Sequence, residues 1–221
     1  MTSIGLLGGT GDLGTALALH LSKKNFVIIG SRSQEKADMA VDAIIKEKGE
    51  RDYFLSNLKS ADNAGAISKC EIIIATLPSE SAIETVKSLS SRFRAGQTFI
   101  SAIASLSKKG TQFFSPRKTT SLAEQISSIL PDGVEVSSAF QTLPAAILYR
   151  EKEIVADILV CAESKTCFDK VSSIVSSIDG LRPLYIGDLE LAGELEALTA
   201  LLLNVGIRNK LKSPTIRISS F

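Results

Sequence analysis

The segment Gly8-Gly9-Thr10-Gly11-Asp12-Leu13-Gly14 limits what this chain can fold into more than any other. It carries the spacing G-x-G-x-x-G as Gly9, Gly11 and Gly14, directly after the apolar run Ile4 to Leu7. Leu13, Ala16, Leu17 and Leu21 then recur at helical spacing, so the loop stands between a predicted strand and a predicted helix. In that setting Gly9 permits the tight turn and Gly11 admits a pyrophosphate close to the backbone. Gly14 lets the helix pack on the strand. Free N–H groups and the helix dipole then favour the anion. Asp12 departs from this logic, since a carboxylate near phosphates is unfavourable unless it points away or caps an N–H.

Strand-like and helical runs alternate beyond the loop. Phe26 to Gly30, Tyr53 to Leu55, Glu71 to Thr76 and Thr98 to Ser101 read as strands, with helices over Gln34 to Lys48, Ala61 to Ser68 and around Ile83 to Leu89. Such alternation predicts an α/β fold, a Rossmann-type doubly wound, mostly parallel sheet. The strand runs are nearly continuous in Ile, Val, Leu and Phe, as expected of strands covered on both faces. The second half is less regular. A long polar connection is expected over 108–120, a helix over Leu122 to Leu130, and strands at Val134 to Ser138, Ile158 to Cys161 and Pro183 to Ile186. A helix is expected over Lys170 to Ile178, and the longest apolar helix over Leu189 to Ile207. The expected division is a nucleotide-binding unit over 1–187 and a C-terminal helical extension over 188–221.

The adenosine end is read at the close of the second strand. NAD-binding versions of the loop place an acidic residue there, about 20 residues beyond the glycines. Here the stretch is Gly30-Ser31-Arg32-Ser33-Gln34-Glu35-Lys36. A hydroxyl and a guanidinium replace the acid, and an ammonium follows one turn later. These groups suit a 2′-phosphate, which predicts NADP with Ser31, Arg32 and Lys36 as its partners.

Composition excludes several rivals. A net charge of +1 gives no basic field for nucleic acid or an anionic membrane. The single histidine, His20, rules out a multi-histidine metal site, and its place beside Leu17 and Leu21 marks it as structural. Cys70, Cys161 and Cys167 are odd in number and form no C-x-x-C pair, which predicts buried thiols in a reducing cytoplasm rather than a disulfide framework or a metal site. No apolar run reaches the ~18 residues of a membrane span. The first residues lack the basic region of a signal peptide.

Ligands of open parallel sheets sit outside the carboxyl ends of the strands. Thr76-Leu77-Pro78, Ser101-Ala102-Ile103-Ala104 and Gln141-Thr142-Leu143-Pro144-Ala145-Ala146 are expected there. None contains a nucleophile–histidine pair or a carboxylate pair. Small, apolar and hydroxyl-bearing, they describe a slot for flat rings.

The stretches GGTGDLG, GSRSQEKA, ATLPSESAIET, SAFQTLPAA, SSIDGLRPL and LEALTALLLN occur in order over nearly the whole chain. Together they resemble the NADPH-dependent reductases of coenzyme F420, the F420H2:NADP oxidoreductases of archaea and some actinobacteria. The resemblance implies hydride transfer between NADP(H) and the deazaflavin. It implies Thr10, Gly11, Asp12 and Leu13 on the pyrophosphate, and Leu77, Ser81, Ala104 and Ala145 along the rest of NADP. It implies Leu143 and Gln141 between the two rings, and Thr199 near the ring pocket. Three departures stand out. Gln141 occupies a position where the family often has histidine, Ala197 one where it often has serine, and residues 210–221 lack the family's glycine-rich tail. A Gln141 amide is expected to donate to a ring carbonyl or to lie in solvent. The wide apolar face of the last helix predicts a homodimer. The rival functions are an NADP-dependent reductase of a flavin, an imine or a metal chelate, and a non-catalytic NADP sensor.

Overall fold

The computed structural model describes residues 1–48, 53–116, 119–149 and 154–219. In chain order its first half holds β1 (Ser3–Leu7), α1 (Asp12–Leu21), β2 (Phe26–Ser31), α2 (Gln34–Lys48), β3 (Leu58–Asp62) and α3 (Asn63–Lys69), then β4 (Ile72–Ala75), α4 (Ser79–Leu89) and β5 (Thr98–Ser101). The hairpin β6 (Ser107–Lys109) and β7 (Gln112–Phe114) follows, then α5 (Leu122–Ser127), β8 (Glu135–Ser138) and α6 (Ala145–Tyr149). The chain closes with β9 (Ala156–Ala162), α7 (Lys165–Ser176), β10 (Leu181–Gly187) and α8 (Ala192–Asn209).

Eight strands form one sheet in the order β3-β2-β1-β4-β5-β8-β9-β10. The pairs from β3 across to β8 are all parallel. Strand order reverses between β1 and β4, which opens a crevice at their carboxyl ends. The β8–β9 pair is antiparallel, with Ser138 opposite Cys161, and β10 runs parallel to β9. The last two strands therefore run against the first six. The expected Rossmann-type, mostly parallel sheet with a C-terminal helix is what the chain forms.

Side chains alternate between two apolar cores, one on each sheet face. Ile4, Leu6, Ile72 and Ile74 face one with Leu17 of α1 and Val171 of α7. Leu7, Ile73 and Ala75 face the other with Ile67 of α3, Val86 of α4 and Ile126 of α5. Burial on both faces accounts for the near-continuous apolar runs of the central strands.

Several elements differ from the sequence reading, among them α6, where no helix was expected, and α7, which begins at Lys165 rather than Lys170. Tyr53 to Leu55 is not a strand. It belongs to a 3-10 turn over Tyr53–Asn57, and the strand is Leu58–Asp62. At the sheet edge β3 buries only Leu58 and Ala61 among its five residues, so it needs no continuous apolar run. The connection expected over 108–120 contains β7 and the end of β6, and its residues 117 and 118 lie outside the described residues. The hairpin is held from afar: Phe113 N–H donates to Asn204 Oδ1 at 2.9 Å, and Asn204 Nδ2 donates to the Phe113 carbonyl at 2.7 Å.

The C-terminal helix is fastened by a buried carboxylate. Glu196 of α8 accepts from the Leu122 and Ala123 amides at 3.2 and 3.1 Å, at the start of α5. Ser121 and Glu124 add a reciprocal capping box there. Beyond Asn209 the chain is not helical, and residues 211–219 run back as an irregular tail. Among the described residues no helix is long and apolar enough to cross a membrane.

Candidate functional site

The glycine loop joins β1 to α1 as the motif requires. Gly9 N–H donates to the Leu6 and Gly30 carbonyls at 3.1 and 2.8 Å, which folds the turn against β2. A Cβ on Gly14 would stand 2.6 Å from the Gly9 backbone, so glycine there is required by packing alone. A Cβ on Gly11 would meet nothing within 4 Å, and its φ of −79° suits any residue. The protein therefore has no need of its own for glycine at 11, and the open space is a cradle that a side chain would fill. The first N–H groups of α1 border that space without acceptors inside the helix. An extended diphosphate fits this donor set and this void. Asp12 is exposed at the first turn, where its charge meets the positive end of the helix.

Neighbouring loops close on the crevice. Thr76 Oγ1 donates to the Gly8 carbonyl at 3.2 Å, and Leu77 lies against Gly8. Gly8 N–H donates to Asn63 Oδ1 at 3.2 Å, a tie that the sequence reading missed. Ser81 lies in the first turn of α4, just beyond Leu77, and Ala104 is half-buried in the loop after β5. At the adenosine end Ser31 is buried, while Arg32 and Lys36 are exposed. The nearby Asp38 carboxylate accepts from Ser60 Oγ at 2.5 Å and Gln34 Nε2 at 2.7 Å, and these two donors, Ser60 first, hold it below the usual carboxylate range.

Gln141, Leu143 and Thr199 line one cavity of about 390 Å³ between the 141–144 loop, α8 and the tail. Leu202, Leu203, Gly206 and Ile207 share it. Their spacing from Thr199 is helical (i+3, i+4, i+7, i+8), a signal present in the sequence but not used there. Thr199 Oγ1 donates to the Gln141 carbonyl at 3.0 Å. The expected role of the Gln141 amide as a donor to a ring is corrected. Its Nε2 already donates to the Ser101 carbonyl at 2.8 Å and to Ser138 Oγ at 2.6 Å. A carbonyl can only accept, so the amide orientation is fixed. Nor does the side chain lie in solvent, being 7% exposed. What it leaves over is Oε1, a buried acceptor that has no partner among the described residues, as is also true of Ser101 Oγ.

The same segment reaches the phosphate loop. Ala145 opens α6, and the Tyr149 hydroxyl pairs with Thr15 Oγ1 and donates to the Asp12 carbonyl at 3.3 Å. His20 Nε2 bonds the Leu148 carbonyl at 2.6 Å, which gives the lone histidine the structural place expected of it. Residues 141–149 thus run from the cavity to α1 without a break.

Comparison with known proteins agrees in extent. The family model described as NADP oxidoreductase coenzyme F420-dependent matches residues 3–105. The F420-dependent NADP reductase of Methanocaldococcus jannaschii is 33% identical, with 98% of each chain covered. That of Methanothermobacter marburgensis is 34% identical, again over 98% of each. A solved chain from Arthrobacter sp. FB24, named as a candidate F420-dependent NADP-reductase, superposes with a TM-score of 0.82 over all of both chains at 18% identity, a likeness of fold. With a third of its residues shared along nearly its full length, the chain belongs to the family of F420-dependent NADP reductases.

Proposed function

We infer that the protein is an NADP-dependent oxidoreductase that transfers a hydride between NADP(H) and coenzyme F420. The observation that carries the NADP half is the void at Gly11, bordered by the first turn of α1 and followed by Ser31, Arg32 and Lys36 in place of an acid. Family membership supplies the identity of the second ring.

When bound, the nicotinamide and the deazaflavin provide the two carbon centres between which the hydride moves. Everything else falls to this chain's residues. Thr10, Gly11, Asp12 and Leu13 present backbone N–H groups to the diphosphate. Ser31, Arg32 and Lys36 take the 2′-phosphate. Leu77, Ser81, Ala104 and Ala145 border the path from there toward the nicotinamide. Leu143, buried in the core, and Thr199 set the floor on which the second ring rests. Gln141, whose amide is spent on Ser101 and Ser138, anchors the 141–144 loop beside the ring. No general base is needed, because hydride transfer depends on holding the reacting carbons within ~3–3.5 Å. An apolar cavity also excludes water from the transfer.

The extension 188–221 carries the ring pocket and a contact for a second copy in an archaeal-type homodimer. Leu201 and Val205, 61% and 44% exposed and one turn apart on α8, are the surface that favours it. A monomeric mass by light scattering at micromolar concentration would remove the dimer. Buried free thiols at Cys70, Cys161 and Cys167 favour a cytoplasmic site of action.

The test is spectral. Mixed with NADPH and oxidised coenzyme F420, the protein is expected to bleach the visible deazaflavin band. NADPH binding without turnover, together with turnover of a flavin or an imine, would replace F420 as the acceptor.

A further inference from the structure

We propose that Asp157 is a positioning residue for the second substrate, holding the C-terminal tail as a wall of the ring cavity. The proposal rests on the hydride-transfer reading above and deepens it.

Lys210 turns the chain in the left-handed region, at φ +54°, and sends residues 211–219 back along α8. Leu211, Ser213 and Pro214 contribute to the cavity lining. None of the nine residues 211–219 is fully buried, and only the half-buried Ile216 packs against the second core, so apolar packing alone does not hold the tail in place. Its position comes from directed bonds. Thr215 Oγ1 donates to the Thr142 carbonyl at 3.2 Å, next to Gln141 and Leu143.

The remaining ties gather around Asp157. Asp157 N–H donates to the Ile216 carbonyl at 2.8 Å. Asp157 Oδ2 accepts from the Ile218 amide at 2.6 Å, and Oδ1 from Arg217 Nη1 at 3.0 Å. Arg182 on β10 grips the other side, with Nε on Oδ1 at 2.9 Å and Nη2 on Oδ2 at 2.7 Å. Arg182 Nη2 also donates to the Ile218 carbonyl at 2.7 Å. Each carboxylate oxygen thus accepts two hydrogen bonds, which fills its capacity. The side chain is 0% exposed, while Arg182 and Arg217 are about half exposed at 45% and 47%. A buried carboxylate saturated by two guanidinium groups and an amide fixes direction as well as distance.

Placement of Asp157 follows from the reversal of the last two strands. Because Cys161 lies opposite Ser138, the residues before it on β9 extend past the carboxyl end of β8. Residues 139–144 leave β8 on that same side. The clamp, carried by the paired residues Asp157 and Arg182 of β9 and β10, therefore stands at the level of the cavity. Among the described residues no hydrogen bond ties the tail to the glycine loop or to residues 31–36. Loosening the tail is thus expected to disturb the ring cavity and to spare the NADP site.

The experiment compares steady-state KM values for oxidised F420 and for NADPH in the full chain, its Arg217→Ala variant and its Asp157→Asn variant. Arg217→Ala is expected to raise KM for F420 about five- to tenfold while KM for NADPH stays within about twofold. Asp157→Asn is expected to do more, and Arg217→Lys to recover part of the loss. An unchanged KM for F420, or a parallel rise in both constants, would overturn the positioning role. Should Asp157→Asn fail to fold, Arg217→Ala decides alone, because Arg182 still neutralises the carboxylate. A parent protein that binds NADPH but never reduces F420 ends the hydride-transfer reading and the proposal with it. An active parent whose variants show no selective change ends only the proposal.

Discussion

An alanine at Gly14 would drive its Cβ to 2.6 Å from the Gly9 backbone, whereas one at Gly11 would meet nothing within 4 Å. The two substitutions are expected to fail differently. Gly14→Ala loses the fold of the loop and lowers the melting temperature of the free protein. Gly11→Ala melts almost as the parent does but loses NADPH binding, as isothermal titration would show. A Gly11→Ala protein that binds NADPH normally would mean the diphosphate does not pass there. At the adenosine end, Arg32→Ala is expected to weaken NADPH by about 1.5–3 kcal/mol, a ~10- to 150-fold rise in Kd. NADH binding should hardly change. Equal losses for both cofactors on titration would sink the 2′-phosphate assignment. The glycines and the basic turn were legible in the sequence because their chemistry is local. The orientation of Gln141 was not, because it is set by Ser101 and Ser138 on neighbouring strands.

Elements were readable in proportion to how much of their stability is their own. The central strands β1, β2, β4 and β5 bury both faces and announce themselves as apolar runs. The edge strand β3 and the β6–β7 hairpin do not, since one is half solvated and the other depends on Asn204 ninety-one residues away. The join of α5 and α8 is of the same long-range kind. Glu196 is 5% exposed and serves the Leu122 and Ala123 amides. Glu196→Ala removes that acceptor from two buried donors and is expected to cost about 2–4 kcal/mol in denaturant unfolding. NADPH affinity should stay as it was, because no residue of the glycine loop is among these partners. A loss below about 0.5 kcal/mol would show that water replaces the carboxylate there.

Across the whole molecule, the clamp at Asp157 links acidity to stability. The Arg182 guanidinium, aided by the Ile218 amide and Arg217, holds the carboxyl below its usual range, although burial acts the other way. A depressed carboxylate stabilises the fold above its unfolded pKa of about 4, and that contribution is lost as pH falls through the folded value. The melting-temperature gap between the parent and Asp157→Asn is therefore expected to be widest near neutrality and to shrink below about pH 4. A gap that stays constant down to about pH 3 would show that the carboxylate's charge contributes nothing.

The three native thiols have a practical consequence. Cys70, Cys161 and Cys167 are buried, and burial pushes each up to about 12, far from the thiolate that alkylating reagents attack. The folded protein should therefore be silent toward maleimide dyes without any cysteine being removed. A single cysteine placed on the exposed β6–β7 hairpin, at Lys109 for instance, would be the one site labelled. Its fluorescence would then report on events at the carboxyl end of the sheet in an otherwise native background.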